Sequence, residues 1–178
     1  MFGTLLRKRL SSDQFSNIFI NAIFEATEAG FEVIADMMNS DPAFVVSPEI
    51  KKESFDQFQL IILAANFHLL DKFFEPQEVE EIKSDIISKL AIIYNADALK
   101  IKEVIKHYYQ FIQRVNHPSK NVLYGISKAI FFKYNLSDFQ DEYFKRMQTP
   151  NPLFLKRLDH LIENFLWDWD VFMKKYKL

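Results

Sequence analysis

The chain has 178 residues, of which 49% are hydrophobic and 16% aromatic, with 19 Phe, 3 Gly and 6 Pro and a net charge of -2. A chain of this length suits one domain that buries roughly 70% of the surface its unfolded form exposes, and this composition excludes intrinsic disorder. The absence of Cys excludes disulfides, thiolate nucleophiles and Cys-ligated zinc or iron-sulfur sites.

The first ten residues, MFGTLLRKRL, predict a flexible lead before the helical part of the domain begins. Their basic cluster, Arg7 to Arg9, follows a very short apolar run, which is the reverse of the order in a secretory signal peptide. We therefore expect a cytoplasmic protein. Immediately after the lead, Ser11 and Gln14 have the spacing of a capping box, which predicts the start of a long helix.

This first helix is predicted to end at about Asn39 and to be apolar on most of its circumference. Phe24 and Phe31 lie off its main apolar stripe and are therefore candidates for contact with another chain. The remaining polar strip begins with uncharged Gln14, Asn17 and Asn21 and continues as an acidic row of Glu25, Glu28, Glu32 and Asp36. Carboxylates at this spacing occur in di-iron bundles, but no Glu-x-x-His partner exists elsewhere in the sequence. We expect a solvated face, no metal and no other cofactor.

The stretch from Phe55 to Phe74 is the predicted centre of the bundle, inside a helix at about residues 49–74. At about 100° per residue it carries two apolar stripes on opposite sides, one containing Ile62 and the other Leu63, and a helix that is apolar on two faces is buried. No unbroken apolar run in it approaches the roughly 18 residues that indicate a membrane span. We expect no membrane partner.

Gln59 and Asn66 lie seven residues apart in the narrow seam between these two stripes. A buried amide without a hydrogen-bond partner costs about 1 to 3 kcal/mol, so each side chain needs a neighbouring helix, a water or a ligand. The sequence predicts interhelical hydrogen bonds that fix the register. If the bundle has a ligand pocket, this aromatic-rich seam is its predicted place.

Two further helices are predicted on either side of Asn95, which is expected to cap the second of them. Pro76 suits the first turn of the earlier helix, and the later one has a regular amphipathic pattern. Basic residues dominate the segment from Lys100 to Lys133, but the chain as a whole is slightly negative, so nucleic-acid binding is not expected. The predicted anion-binding patch on its polar face consists of Lys102, Lys106 and Arg114.

Three more helices, from about residues 119, 137 and 152, complete an all-α domain of six or seven helices. In the last helix Trp167 falls about 160° to 200° from the apolar stripe, with Val171 one turn beyond it. Trp is enriched at interface hot spots, so Trp167 and Val171, together with Phe24 and Phe31, form the predicted self-association surface. The alternative cover for Trp167 is the N-terminal lead, through Phe2, Leu5 and Leu6.

The function predicted from these patterns is non-enzymatic, because no phosphate loop, nucleophile elbow or zinc motif can be drawn. Residues 1–95 carry 8 basic and 15 acidic residues and residues 96–178 carry 14 and 9, a polarity that suits pairing within the chain or with a second copy. We predict a protein that acts through protein–protein contacts, including a homodimer. The alternative is an effector-type ligand-binding domain with an apolar cavity lined by Phe and Leu.

Overall fold

The computed structural model describes residues 7–178 and confirms an all-α single domain. In chain order its α-helices are α1 (Ser12–Ser40), α2 (Asp56–Leu69), α3 (Pro76–Ile93), α4 (Ala98–Asn116), α5 (Val122–Lys133), α6 (Glu142–Met147), α7 (Pro152–Ile162) and α8 (Trp169–Lys175). Short 3-10 turns occupy Leu70–Lys72, Leu136–Phe139 and Glu163–Phe165. None of the described helices combines the length and the apolar character needed to cross a bilayer.

The predicted capping box at the start of α1 is confirmed. The Ser11 hydroxyl accepts a hydrogen bond from the Gln14 N–H at 3.2 Å, and the Gln14 side chain accepts one from the Ser11 N–H at 3.1 Å. The buried face of α1 runs through Phe19, Ile23 and Phe31 at helical spacing. The sequence predicts a main stripe through Phe15, Phe19, Ala22, Ala26, Gly30, Val33 and Met37. The buried face is rotated from that stripe, since Ala22, Ala26 and Val33 are exposed.

Helix α2 begins about seven residues later than the sequence predicts, for two reasons in the preceding loop. Glu49 has a left-handed backbone conformation, with φ of 55°, which interrupts a right-handed helix. The Asn39 side chain then occupies both backbone groups of Ile50, accepting from its N–H at 2.7 Å and donating to its carbonyl at 2.9 Å. These bonds hold the chain in a loop until α2 starts at Asp56.

The burial predicted for the two stripes of α2 is confirmed. Ile62 is 0% exposed and Leu63 is 1% exposed, although they lie on opposite sides of the helix. Helix α2 packs against α1, α4 and α5, which cover these sides. At its N-terminal end the Phe58 N–H donates to the Tyr134 hydroxyl at 3.2 Å, and that hydroxyl donates to the Ser54 carbonyl at 2.6 Å.

Helix α3 packs against α1 and α4, and it starts with Pro76 as predicted. It ends at a sharp connection in which Asn95 is left-handed, with φ of 48°. Asn95 therefore does not cap α4, in contrast to the prediction from the sequence. The cap is Asp97, whose carboxylate accepts a hydrogen bond from the Leu99 N–H at 2.8 Å.

The last helix is interrupted, whereas the sequence predicts one continuous helix from about residue 152. The chain leaves α7 through the turn Glu163–Phe165, is not helical at residues 166–168, and resumes in α8. The Phe165 ring lies against Gly30, where an added Cβ would come within 2.6 Å of the ring. Gly30, which has no Cβ, leaves the space for this ring inside α1.

The two ends of the described chain are joined. Strand β1 (Lys8–Arg9) pairs in parallel with β2 (Tyr176–Lys177), and the Leu10 N–H donates to the Lys177 carbonyl at 2.8 Å. Residues 8–10 of the predicted lead are thus held by backbone hydrogen bonds. Phe2, Leu5 and Leu6, the alternative cover for Trp167, lie outside the described residues.

Candidate functional site

Gln59 makes the interhelical hydrogen bonds expected for a seam residue. It is buried, its Nε2 donates to the Thr27 hydroxyl at 3.0 Å, and its Oε1 accepts from the Tyr94 hydroxyl at 3.2 Å. These bonds join α2 to α1 and α3. Because partners in the same chain already satisfy the amide, Gln59 has no need of a ligand.

Asn66 is also satisfied by its own chain. Its Nδ2 donates to the Phe165 carbonyl at 2.9 Å, and its Oδ1 accepts from the Trp167 N–H at 2.8 Å, so the amide binds the non-helical segment between α7 and α8. Neither Asn66 nor Gln59 lines either of the two surface pockets described below. The hydrogen bonds predicted for the two seam residues are therefore present.

Phe31 cannot contribute to the predicted self-association surface, and Trp167 is partly covered by its own chain. Phe31 is 0% exposed and stacks on Tyr134 with ring centroids 5.7 Å apart, because it belongs to the buried face of α1. Trp167 is half-buried, with its ring 5.5 Å from the rings of Phe19 and Phe172. Since the chain is not helical at Trp167, its direction cannot follow from helical periodicity, and it packs inward.

The other two residues of that predicted surface lie on different elements. Phe24 is half-buried on α1, with its ring 6.1 Å from the ring of Tyr94 at the end of α3. Val171 is 45% exposed on α8. Phe24 therefore adjoins a different surface from Val171.

The surface beside Phe24 is an exposed apolar cluster at the connection between α3 and α4. We call it the α3–α4 edge, and it consists of Ile92, Ile93, Tyr94 and Leu99. Ile92 is 81% exposed and Leu99 is 71% exposed, which are high values for large aliphatic side chains on ordered helices. This cluster is not predicted from the sequence, because helical periodicity does not distinguish an apolar residue at a helix end from one in the core.

The backbone of the α3–α4 edge is fixed by hydrogen bonds. The Asn95 N–H donates to the Ile92 carbonyl at 3.2 Å, and the Ala96 N–H donates to the Ala91 carbonyl at 2.9 Å. Residues 91–99 contain a single charged side chain, Asp97, whose carboxylate is engaged in capping α4. These bonds hold the backbone of the connection, and its own residues carry almost no charge.

A groove between α3 and α4 adjoins the edge at Leu99 and has a volume of about 570 Å³. We call it the α3–α4 groove. Its lining combines residues of α2, α3 and α4: Phe67, His68, Glu80, Lys83, Ser84, Ile87, Ser88, Ala98, Leu99, Lys102, Ile105 and Lys106. A second pocket of about 620 Å³, between Arg9 and the start of α3, is lined by Glu78 and Glu81 and has mixed charge.

The groove contains two of the three residues of the predicted anion-binding patch. Lys102 and Lys106 are exposed on successive turns of α4, and no ion pair of the described residues includes either of them. Lys83 reaches the groove from α3 and is paired with Asp71 at 2.6 Å. Arg114 does not line the groove, since it lies two turns beyond Lys106 on α4.

His68 is the titratable aromatic residue of the groove. Its ring stacks on Tyr109 with centroids 3.5 Å apart, and its Nδ1 lies 3.0 Å from the Ala64 carbonyl oxygen. A carbonyl only accepts, so Nδ1 carries the proton and Nε2 is the free nitrogen. Burial lowers the pKa of His68, and the charge of Lys83 lowers this pKa further.

The lowered pKa of His68 predicts a loss of stability in acid. Because the folded-state pKa lies below the unfolded value of about 6.5, the contribution to stability is fully present above that value. It is lost as the pH falls through the folded-state pKa. Urea denaturation between pH 7.5 and pH 4.5 should show a smaller loss of unfolding free energy for His68→Gln than for the wild type. Equal losses in the two proteins would contradict this.

No metal site is visible in the part of the chain that the structure describes, where no three His, Asp or Glu side chains converge. Comparison with known proteins also gives no guidance: no protein-family model, curated protein or solved structure matches the chain significantly. The function proposed below is therefore inferred from surface chemistry alone.

Proposed function

We propose that the chain is a non-enzymatic cytoplasmic protein that acts through protein–protein contacts and forms a homodimer through the α3–α4 edge. The observation that supports this most is the exposure of Ile92 and Leu99, with Ile93, at a connection held by backbone hydrogen bonds. Exposed apolar side chains that form one cluster mark contact surfaces more often than isolated ones do. The proposed contact replaces the surface predicted around Trp167.

The composition of the edge favours a second copy of the same chain as its partner. Charged residues are depleted at the centre of protein interfaces, and residues 91–99 carry only Asp97. A patch that is apolar and nearly free of charge is self-complementary, so it can contact its own copy across a twofold axis. Tyr94 and Phe24 add aromatic surface at its side.

Light scattering at high micromolar concentration tests the proposed dimer. The wild type is expected to have twice the chain mass of 21.1 kDa, and Ile92→Glu is expected to have the mass of one chain. The reason is that the twofold axis brings two unpaired carboxylates into an apolar contact. The matched control is Val45→Glu, which changes a residue that is 72% exposed on the loop after α1 and should remain a dimer.

Three results would contradict the proposal. The first is a wild-type protein with the mass of a single chain. The second is an Ile92→Glu protein that remains a dimer. The third is a Val45→Glu protein that dissociates like Ile92→Glu, because the loss would then come from added charge and not from the edge.

A second function, binding of a small ligand as in effector-type helical domains, is supported by the α3–α4 groove. Its volume lies within the range of about 300 to 1,000 Å³ that is usual for small-molecule sites. The lysines and serines of its lining distinguish it from the apolar cavity lined by Phe and Leu that the sequence offers as the alternative.

A further inference from the structure

The α3–α4 groove has an apolar base and a cationic rim. The base includes Phe67 and Ile105, both buried, and the half-buried Ile87. The rim carries Lys102 and Lys106. We propose that this groove binds an amphipathic anion, namely a carboxylate at the end of an unbranched apolar chain. A chain of about eight to ten carbons suits a groove of this size.

The charge of the lining favours an anion. Lys83, Lys102 and Lys106 oppose a single lining carboxylate, that of Glu80. Lys83 is already paired with Asp71, so the two lysines of α4 are the ones without an ion pair among the described residues. A carboxylate placed between them gains two charge-assisted contacts from one helix face.

The apolar base excludes a small, fully polar anion as the matching ligand. Phe67 and Ile105 lie behind the lysines, and Lys83 Nζ lies 5.1 Å from the centroid of the Phe67 ring. A ligand without an apolar part would leave this surface in contact with water. A hydrocarbon chain removes it from water while the carboxylate stays at the rim.

His68 and Ser84 supply uncharged polar groups to the same groove. His68 Nε2 has no hydrogen bond among the described residues, and neither has the Ser84 hydroxyl. Asp71 favours the protonated imidazole and Lys83 disfavours it, and an anion at the rim would act in the same direction as Asp71. The Ser84 hydroxyl can donate a hydrogen bond to the carboxylate, whereas the unprotonated Nε2 of neutral His68 only accepts and cannot bind it.

Isothermal titration calorimetry with acetate, octanoate and decanoate, each below its micelle concentration, tests the proposal. Decanoate is expected to bind roughly tenfold more tightly than octanoate, from the contribution of two buried methylenes, and acetate is expected to give no heat. Lys102→Gln and Lys106→Gln should each weaken decanoate binding by about three- to tenfold, less in high salt.

The matched control is Lys100→Gln, which changes an exposed lysine of α4 outside the groove and should leave the affinity unchanged. Ser84→Trp, at an exposed position of the lining, should abolish binding by filling the groove. Each variant should be checked by circular dichroism for unchanged helical content. Repetition with Ile92→Glu separates ligand binding from dimer formation, since that residue does not line the groove.

The proposal is overturned if decanoate gives no heat with the wild type, or if Lys100→Gln weakens binding as much as Lys106→Gln. It is also overturned if Ser84→Trp binds decanoate like the wild type. A further outcome is that the protein sediments with anionic phosphatidylglycerol vesicles but does not bind decanoate. The partner would then be a membrane surface, and the groove would be excluded as a carboxylate site.

Discussion

Truncation of Leu63 to Ala is expected to lower the free energy of unfolding by roughly 2 to 5 kcal/mol, and truncation of Ile62 to Ala by a similar amount. The two side chains are almost completely buried on opposite sides of α2, so each substitution leaves a cavity against different neighbouring helices. Urea denaturation followed by circular dichroism measures both losses.

The control for this pair is Leu153→Ala, which removes the same atoms from an exposed position at the start of α7. Its cost should stay within about 0.5 kcal/mol, as for most surface substitutions. A cost below about 1 kcal/mol for Ile62 or Leu63 would mean that α2 is not packed on that side.

Replacement of Asn66 by Ala is expected to cost about 2 to 4 kcal/mol, because two backbone groups lose their partners at once. They are the Phe165 carbonyl and the Trp167 N–H, which lie in the non-helical segment between α7 and α8. The only two Trp residues of the chain are Trp167, which lies in this segment, and Trp169, which begins α8. Their fluorescence should shift to longer wavelength in the variant as this segment loosens.

Asn164→Ala is the matched control for Asn66→Ala, since Asn164 lies in the turn Glu163–Phe165 beside the Asn66 contact and its side chain is exposed. Its unfolding midpoint and Trp emission should match those of the wild type. If Asn66→Ala also matched the wild type in both measurements, these hydrogen bonds would not hold the segment.

Local signals in the sequence predict most helices because they depend on neighbouring residues. Ser11 and Gln14 specify the start of α1, and Pro76 specifies the start of α3. The two buried faces of α2 likewise follow from apolar spacing along one helix. These features need no knowledge of which helices meet.

The interruption between α7 and α8 could not be predicted in this way. Apolar residues keep helical spacing through Phe165, Trp169 and Phe172, so periodicity indicates one continuous helix. The interruption depends on contacts with Asn66 and Gly30, which lie about 100 or more positions away in the chain. Tertiary hydrogen bonds and close packing override local preference here.

The candidate sites likewise have parts that local sequence predicts and parts that depend on how the helices pack. Lys102 and Lys106 stand out in the sequence because they lie on the polar face of an amphipathic helix. The base of their groove comes from Phe67 on α2 and Ile87 on α3, so its existence depends on how three helices pack. The sequence predicts self-association around Trp167, which packs inward before the start of α8. The α3–α4 edge is proposed because Ile92 is exposed in the fold.

Oxidative cross-linking of single-cysteine variants tests the proposed dimer contact most directly. The chain contains no Cys, so each variant has a single thiol. Ile92→Cys places it at the α3–α4 edge, and Val171→Cys places it on the surface that the sequence predicts around Trp167. We expect a covalent dimer on a non-reducing gel for Ile92→Cys, because the twofold contact brings the two thiols close together, and monomer for Val171→Cys. A covalent dimer with Val171→Cys and none with Ile92→Cys would contradict the proposed edge.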